Sequence, residues 1–200
     1  MARLCRETAN MSLREDRPDY LKRLSRGWYK GKSWVHWTMA MEDRAIGWLD
    51  SRMHLQVREL LVHTSARHHV VCPLYCLMPD HAHFLWVGLG EECDQLNAAK
   101  FFRQRWNALL KERGVRLQEQ AYDHVLDESE RNPDAFEDIC LYIAHNPQRD
   151  SLVGSWQDWE FLGSVVAGFP DLNPREITAF WPTFWKIHNL ETSRRARDSS

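Results

Sequence analysis

The chain has 200 residues, of which 44% are hydrophobic and 27% are charged, a balance typical of a globular domain. Its 26 Lys and Arg against 28 Asp and Glu give a net charge of −2, which argues against a protein that coats nucleic acid by bulk charge alone. No apolar stretch is long enough to span a membrane, and residues 1–16 contain no apolar segment typical of a secretory signal. We therefore expect a globular domain without a membrane association.

The near-neutral total conceals basic and acidic segments. Residues 1–32 contain nine Lys and Arg against four Asp and Glu, residues 100–113 contain five against one, and residues 119–140 contain one against eight. Such an uneven distribution permits a local basic groove, so nucleic acid stays a possible partner.

The first predicted elements are a strand, a helix and a hairpin. Residues 32–41 alternate bulky and polar side chains, as a strand does, and residues 43–63 carry apolar side chains at helical spacing. Residues 69–78 and 81–87 are apolar, β-branched and aromatic, with only a short Pro-Asp pair between them. This pattern predicts two antiparallel strands joined by a tight turn.

Two helices follow in the predicted order. Residues 95–112 form an amphipathic helical pattern, which Gly114 would end. Asn132 and Pro133 are typical of a helix start, and that helix is expected to run to about His145.

The order strand, helix, strand, strand, helix predicts an α+β fold. Its leading architecture is a ferredoxin-like antiparallel sheet, with a βαββαβ-type core. The later helix and two Trp-rich stretches at residues 155–165 and 178–185 would be additions to that core.

His81 and His83 form the sharpest local feature. Residues two apart on a strand share a face, so the two imidazoles would project side by side, and imidazole is a common metal ligand. The alternative is a pair of half-buried histidines hydrogen-bonded to backbone, which is the commoner outcome for an isolated His-x-His.

A structural zinc site is a second alternative, because Cys72 and Cys76 precede the two histidines. With a two-residue turn, Cys76 would lie opposite His83, and Cys72 would lie opposite Val87. Cys72 would then be roughly 13 Å from the histidines, too far to share an ion. Five cysteines at irregular spacing instead indicate reduced thiols in a cytoplasmic protein.

Tyr142 and Asn146 lie four residues apart, so a phenol and a carboxamide would share one face of the helix that begins near residue 133. A phenol with an ordinary pKa of about 10 is a weak nucleophile unless a metal ion or a base assists. The alternative is an amphipathic Tyr at the edge of a core helix, with Asn146 as a polar helix end.

The helix at residues 95–112 combines cations with aromatic rings, which suits phosphates and bases of a nucleic-acid strand. An ordinary solvated face over a core stripe explains the pattern equally well. Residues 14–32 have the same mixture.

Two runs resemble a known family. YCLMPDHAHFLWV resembles the metal-binding signature of single-tyrosine HUH transposases, in which U is a hydrophobic residue, and YIAHNPQRDSLV is similar to the tyrosine segment of their REP-associated branch. The stretches SWVHWTMAMEDR, AYDHVLDES and SWQDWEFLGS agree in order and separation. The resemblance implies an HUH domain at residues 25–166, a basic extension at residues 1–24, and a C-terminal helix with a polar tail at residues 167–200.

The resemblance also implies roles for individual residues. His81 and His83 would be metal ligands for Mg²⁺ or Mn²⁺, Tyr142 the nucleophile on a catalytic helix, and Asn146 the third ligand. Asp80 stands where the family commonly has Asn. Our candidates for gripping DNA are basic residues in three segments: Arg26, Lys30, Lys100, Arg103, Arg105 and Arg149.

The implied activity is nicking and rejoining of single-stranded DNA near hairpins through a 5′-phosphotyrosine, either for transposition or as a domesticated nuclease. The partner would be single-stranded or hairpin DNA, at the nucleoid in the cytoplasm, and the protein would be a monomer or a homodimer, with a monomer favoured. The alternative is a non-catalytic nucleic-acid-binding module on the same fold.

Ten Trp residues are many for this length, and Trp suits both packing and base stacking. We expect Trp residues within predicted elements to pack in the core or sheet: Trp34, Trp37, Trp48, Trp86 and Trp106. Trp28, Trp156 and Trp159 lie in less regular segments and are the candidates for stacking on a base.

Overall fold

A computed structural model describes residues 23–198 of the chain. Its strands are β1 (Trp34–Ala40), β2 (Val70–Leu77), β3 (His81–Gly88), β4 (Tyr122–Val125) and β5 (Leu162–Val165). Its helices are α1 (Ser51–His68), α2 (Gln95–Leu110), α3 (Pro133–Ala144), α4 (Asn146–Arg149) and α5 (Ile177–Asp198). Cys5 and most of the predicted basic extension lie outside the described residues.

The five strands form one sheet in the order β4-β1-β3-β2-β5, and every neighbouring pair is antiparallel. Helices α1 and α2 cover one face of the sheet, called here the α1/α2 side, and α3 and α5 cover the other, called the α3/α5 side. The predicted α+β class and antiparallel sheet are confirmed.

The two sides of the sheet follow from strand alternation. On β1, Val35 and Trp37 pack on the α1/α2 side with Phe102 of α2. On β3, Leu85 packs on the α3/α5 side with Phe136 of α3. Each face therefore has its own apolar cluster, and the middle strands are buried between the two.

Helix α1 begins eight residues later than the predicted start at residue 43. The Asp50 carboxylate accepts a hydrogen bond from the backbone N–H of Met53 at 2.7 Å and so caps the helix. Gly47, with φ of +87°, adopts a left-handed conformation that ends any earlier helical turn. Ile46, expected in the core stripe, is consequently 71% exposed.

The β2–β3 hairpin pairs Cys76 with His83, as predicted, but its register changes further along. Val71, not Cys72, pairs with Val87, because a β-bulge follows Val71. Cys72 is buried on the α1/α2 side and Cys76 on the α3/α5 side. The two thiols thus lie on opposite faces of the sheet, and this placement argues against a zinc site that both would share.

Helix α5 is part of the core of the described structure. Phe180, Trp181 and Phe184 are buried, and they pack around Phe136 of α3 with ring centroids 6.1 and 6.5 Å away for the latter two. Trp185 Nε1 also donates a hydrogen bond to a carboxylate oxygen of α3 at 2.9 Å. Within residues 23–198, no helix is both long and apolar enough to cross a membrane.

Candidate metal and nucleophile site

His81 and His83 project from β3 on the α3/α5 side, while Ala82 between them is buried on the other side. The two Nε2 atoms face each other at 3.0 Å, with the ring planes at 90°. Strand geometry therefore brings the two imidazoles together as the sequence pattern predicts.

The other nitrogen of each ring has a partner that orients it. His81 Nδ1 lies 2.6 Å from the carboxylate of Asp80, which is an acceptor only and therefore favours a proton on Nδ1. His83 Nδ1 lies 3.1 Å from His36 Nε2 and 3.2 Å from Thr38 Oγ1, both on β1. Partners of this kind fix ring orientation at metal sites.

Neither His36 nor Thr38 appears among the residues expected at the site. Both lie on the same face of β1, two residues apart, and Thr38 pairs with His83 across the strands. The alternation of β1 would have placed them on one face, but only the register of β1 against β3 assigns them to His83.

Burial keeps the inner imidazoles neutral. It lowers the pKa of His83 to about 2, with further lowering by the charges of His36, His81 and Arg149. Burial also lowers the pKa of His36 to about 4. A neutral imidazole is the form that binds a metal ion, so His83 is available as a ligand at neutral pH.

The spacing of the pair fits an octahedral ion. Two ligands at right angles, each about 2.1 Å from Mg²⁺, are about 3.0 Å apart, which is the separation of the two Nε2 atoms. Across residues 23–198, no group of three or more His, Cys, Asp and Glu side chains is arranged to hold a metal. The remaining ligands would have to be an amide, water or substrate oxygen.

Asn146 is engaged elsewhere in the described structure. Its Oδ1, the atom that would ligate a metal, accepts a hydrogen bond from Arg149, and its Nδ2 donates to the Ile143 carbonyl at 3.0 Å. Service as a third ligand would require Oδ1 to exchange the Arg149 guanidinium for the ion.

Tyr142 lies on the solvent face of α3 and is 65% exposed. Asn132 caps this helix by accepting from the Ala135 N–H at 3.0 Å, as predicted, and Cys140 anchors its inner face in the core. The Arg149 guanidinium lies over the Tyr142 ring, 3.8 Å from its centroid. Arg149 thus contacts both Tyr142 and Asn146, and its charge acts on His83.

The segment that follows α4 packs against α4 and against the residue that precedes it, His145. The backbone N–H of Trp156 donates to Gln148 Oε1 at 3.2 Å, and the Trp156 ring packs 5.6 Å from that of His145. Trp156 is only 4% exposed, so its predicted role in base stacking is wrong. Trp159 is partly buried and bonded to the Leu77 carbonyl, whereas Trp28 is 55% exposed.

The predicted DNA-binding residues fall into two groups. Arg149 is beside Tyr142, whereas the residues of α2 and of the turn that precedes β1 lie away from the imidazole pair, at the α1/α2 side: Arg26, Lys30, Lys100, Arg103 and Arg105. Arg23, Arg26, Lys100 and Arg103 line a groove there, with a volume of about 580 Å³.

Several of these basic side chains also form contacts within the protein. Arg26 donates to the Asp94 carboxylate at 2.7 Å, and Arg103 donates to the carbonyls of Gln118 and Glu119. Arg105 lies over the Phe101 ring at 5.6 Å. Lys100 is exposed and lines the groove.

The fold is similar to that of a solved structure of a REP-associated tyrosine transposase bound to a REP hairpin. The TM-score is 0.58 at 17% sequence identity, over 71% of this chain and 82% of that one. At this identity the likeness shows a shared fold. No protein-family model matches the sequence, and a search of curated proteins finds no match.

Proposed function

We propose that this protein is a metal-dependent transposase-type nuclease that nicks and rejoins single-stranded DNA through a 5′-phosphotyrosine. The observation that carries the proposal is the convergence of His81 and His83 Nε2 at 3.0 Å on the side of the sheet that also carries the Tyr142 helix. The fold likeness to a transposase at a TM-score of 0.58 supports it.

The chemistry follows from the side chains. The Tyr142 hydroxyl loses its proton to solvent and its oxygen attacks the scissile phosphorus, while the P–O3′ bond breaks and the leaving oxygen takes up a proton. Mg²⁺ or Mn²⁺ held by His81 and His83 would neutralise charge on the phosphate oxygens. Arg149, whose guanidinium lies over the Tyr142 ring, would bind the same phosphate.

Rejoining is the reverse reaction. A 3′-hydroxyl, from the same strand or from a new one, attacks the phosphotyrosine and releases Tyr142. Because the covalent bond conserves the phosphodiester, no nucleotide cofactor is needed.

Hairpin DNA is the proposed partner, since the similar transposase is bound to a REP hairpin. A strand held at both Tyr142 and the α1/α2-side groove would have to pass the sheet edge at β4. Tyr122 at that edge is 52% exposed and pairs with Thr38, on the side of the imidazoles. Asp123, the next residue, bonds Arg23 at the groove.

The test is incubation with labelled hairpin oligonucleotides carrying single-stranded flanks, with Mn²⁺ or with EDTA, followed by denaturing electrophoresis. We expect a metal-dependent protein–DNA adduct that Tyr142→Phe abolishes and that Tyr122→Phe, the matched control, retains. An adduct of undiminished yield in Tyr142→Phe would refute the proposal.

A second candidate function is hairpin binding without cleavage. The contact between Arg149 and the Asn146 Oδ1 favours it, because that contact occupies the expected third ligand. Hairpin binding of equal affinity in Mn²⁺ and EDTA, with no strand cleaved, would select this function.

A further inference from the structure

A second pocket lies beside the edge strand β5, and none of the residues proposed for cleavage lines it. Its volume is about 280 Å³, and its walls include His54 and Arg58 from α1, Tyr75 from β2, and Arg175 from the segment before α5. The pocket is therefore formed by α1, the edge of the sheet and the segment that precedes α5.

The two arginines in this pocket donate to backbone carbonyls, and Arg58 also forms a side-chain hydrogen bond with Tyr75. Arg58 donates to Ser164 O at 3.1 Å and to Pro170 O at 3.0 Å. Arg175 donates to the carbonyls of two residues in the turn that precedes β5. A guanidinium has five N–H groups, so each arginine retains N–H groups for another acceptor.

No carboxylate among residues 23–198 forms an ion pair with either arginine. Glu160 and Asp171 line the pocket but are exposed at its mouth. Two half-buried cations without a counter-charge are unfavourable, because each loses hydration and repels the other. The carbonyl contacts explain how the loops are held, but they provide neither guanidinium with a direct ion pair.

The inner wall of the pocket is polar and uncharged. His54 Nε2 and the Tyr75 hydroxyl lie 2.8 Å apart. Burial, together with the charges of Arg58 and Arg175, lowers the pKa of His54 to about 4, so its imidazole is neutral. A Cβ at Gly163 would lie 2.5 Å from the Tyr75 hydroxyl oxygen, so glycine leaves room for that hydroxyl.

We propose that this pocket binds a phosphate group, held by Arg58 and Arg175 with His54 and Tyr75 at its inner wall. Guanidinium forks suit phosphate oxygens, and charge-assisted hydrogen bonds to them are strong. The phosphate could be that of a nucleic-acid backbone or a free phosphate.

One short turn lies between this pocket and α4, the helix of Arg149 beside Tyr142. The turn at Trp156–Asp158 bonds Gln148 of α4 through the Trp156 N–H, and it accepts a hydrogen bond from Arg175 through the Gln157 carbonyl. This turn links α4 to the pocket, and on that ground a backbone phosphate is the occupant to test beside free phosphate.

The first test is a titration of the wild-type protein with inorganic phosphate at constant ionic strength, followed by amide NMR. We expect saturable shifts at the amides of Gly163, Ser164 and Arg175, and the same shifts in Tyr142→Phe, because this site does not depend on the proposed cleavage. Shifts that do not saturate at these amides, or none there, would overturn the proposal. This measurement needs no variant of the pocket.

The second test compares variants. Arg58→Gln and Arg175→Gln should each weaken phosphate binding about tenfold or more, whereas Arg52→Gln, an exposed arginine on the same helix, should leave it unchanged. Equal affinity in all three would also overturn the proposal. An oligothymidylate that displaces phosphate from the same amides identifies a strand phosphate as occupant, and one that does not identifies free phosphate.

Discussion

His83 Nδ1 has two polar partners on β1, His36 and Thr38, whereas His81 Nδ1 has one, Asp80. The hydroxyl of Thr38 accepts a hydrogen bond from Nδ1–H in the tautomer that leaves Nε2 available for an ion. This small contact decides which nitrogen of His83 is available.

Replacing Thr38 with Val should therefore weaken Mn²⁺ binding about tenfold, since loss of such supporting partners costs 10- to 100-fold in metal affinity. Thr38→Ser keeps the hydroxyl and should bind as the wild type does. Isothermal titration with Mn²⁺ measures both. Identical affinities in Thr38→Val and Thr38→Ser would show that the hydroxyl has no orienting role.

Arg149 is the cation that contacts Tyr142 directly. Arg149→Gln should slow adduct formation on a hairpin substrate about tenfold or more, because a charge-assisted contact to the phosphate is lost. Arg105→Gln, on the α1/α2 side, should leave the single-turnover rate nearly unchanged. A slower rate in Arg105→Gln with a normal one in Arg149→Gln would place the scissile phosphate elsewhere.

At the scale of elements, the stability of the helix that carries Tyr142 depends on the residue that caps its N-terminus, Asn132. Asn132 accepts from the Ala135 N–H at 3.0 Å, so Asn132→Ala should lower the free energy of unfolding by about 1 kcal/mol. Asn132→Ser restores an acceptor and should recover most of the loss. Urea unfolding of the three proteins checks this, and an unchanged midpoint in Asn132→Ala would contradict it.

Local signals were sufficient for α3 and for the imidazole pair. The Asn132 cap and the two-residue spacing of His81 and His83 act within a few residues, so the sequence reveals them. The left-handed turn at Gly47 shifted the start of α1, and the bulge after Val71 shifted Cys72 to the other face. Neither changes the apolar pattern that predicted those elements.

Contacts between elements that are distant in the chain could not be predicted from the sequence. An amphipathic pattern shows that α2 has a buried face but not which side of the sheet it covers. The sequence therefore made Lys100 and Arg103 candidates for gripping DNA without placing them, and α2 packs on the opposite side of the sheet from the Tyr142 helix. The contact of His36 with His83 likewise depends on how β1 pairs with β3.

For the whole molecule, buried histidines make the free energy of unfolding depend on pH. The pKa of His36 is lowered from 6.5 to about 4 and that of His83 to about 2, so below pH 6.5 the unfolded chain binds protons that the folded chain excludes. The free energy of unfolding should fall as pH falls from 7 to 5, by about 1–2 kcal/mol for each of the two.

Urea titrations at both pH values measure this loss. His36→Gln should show a smaller loss, and His63→Gln, which removes an exposed histidine of α1, should match the wild type. An equal loss in His36→Gln would mean that other groups control the acid response.

The monomeric state stays a prediction, which sedimentation would test.

The packing of α5 on α3 sets an order of events during synthesis. Phe136 completes its aromatic surroundings only with rings of Trp181, Phe184 and Trp185, some forty-five to fifty residues later in the chain. The histidines and Tyr142 leave the ribosome before those rings do. During synthesis the chain would therefore contain His81, His83 and Tyr142 before the aromatic packing that supports the Tyr142 helix is complete. The proposed strand cleavage would then begin only after residue 185 has been synthesised.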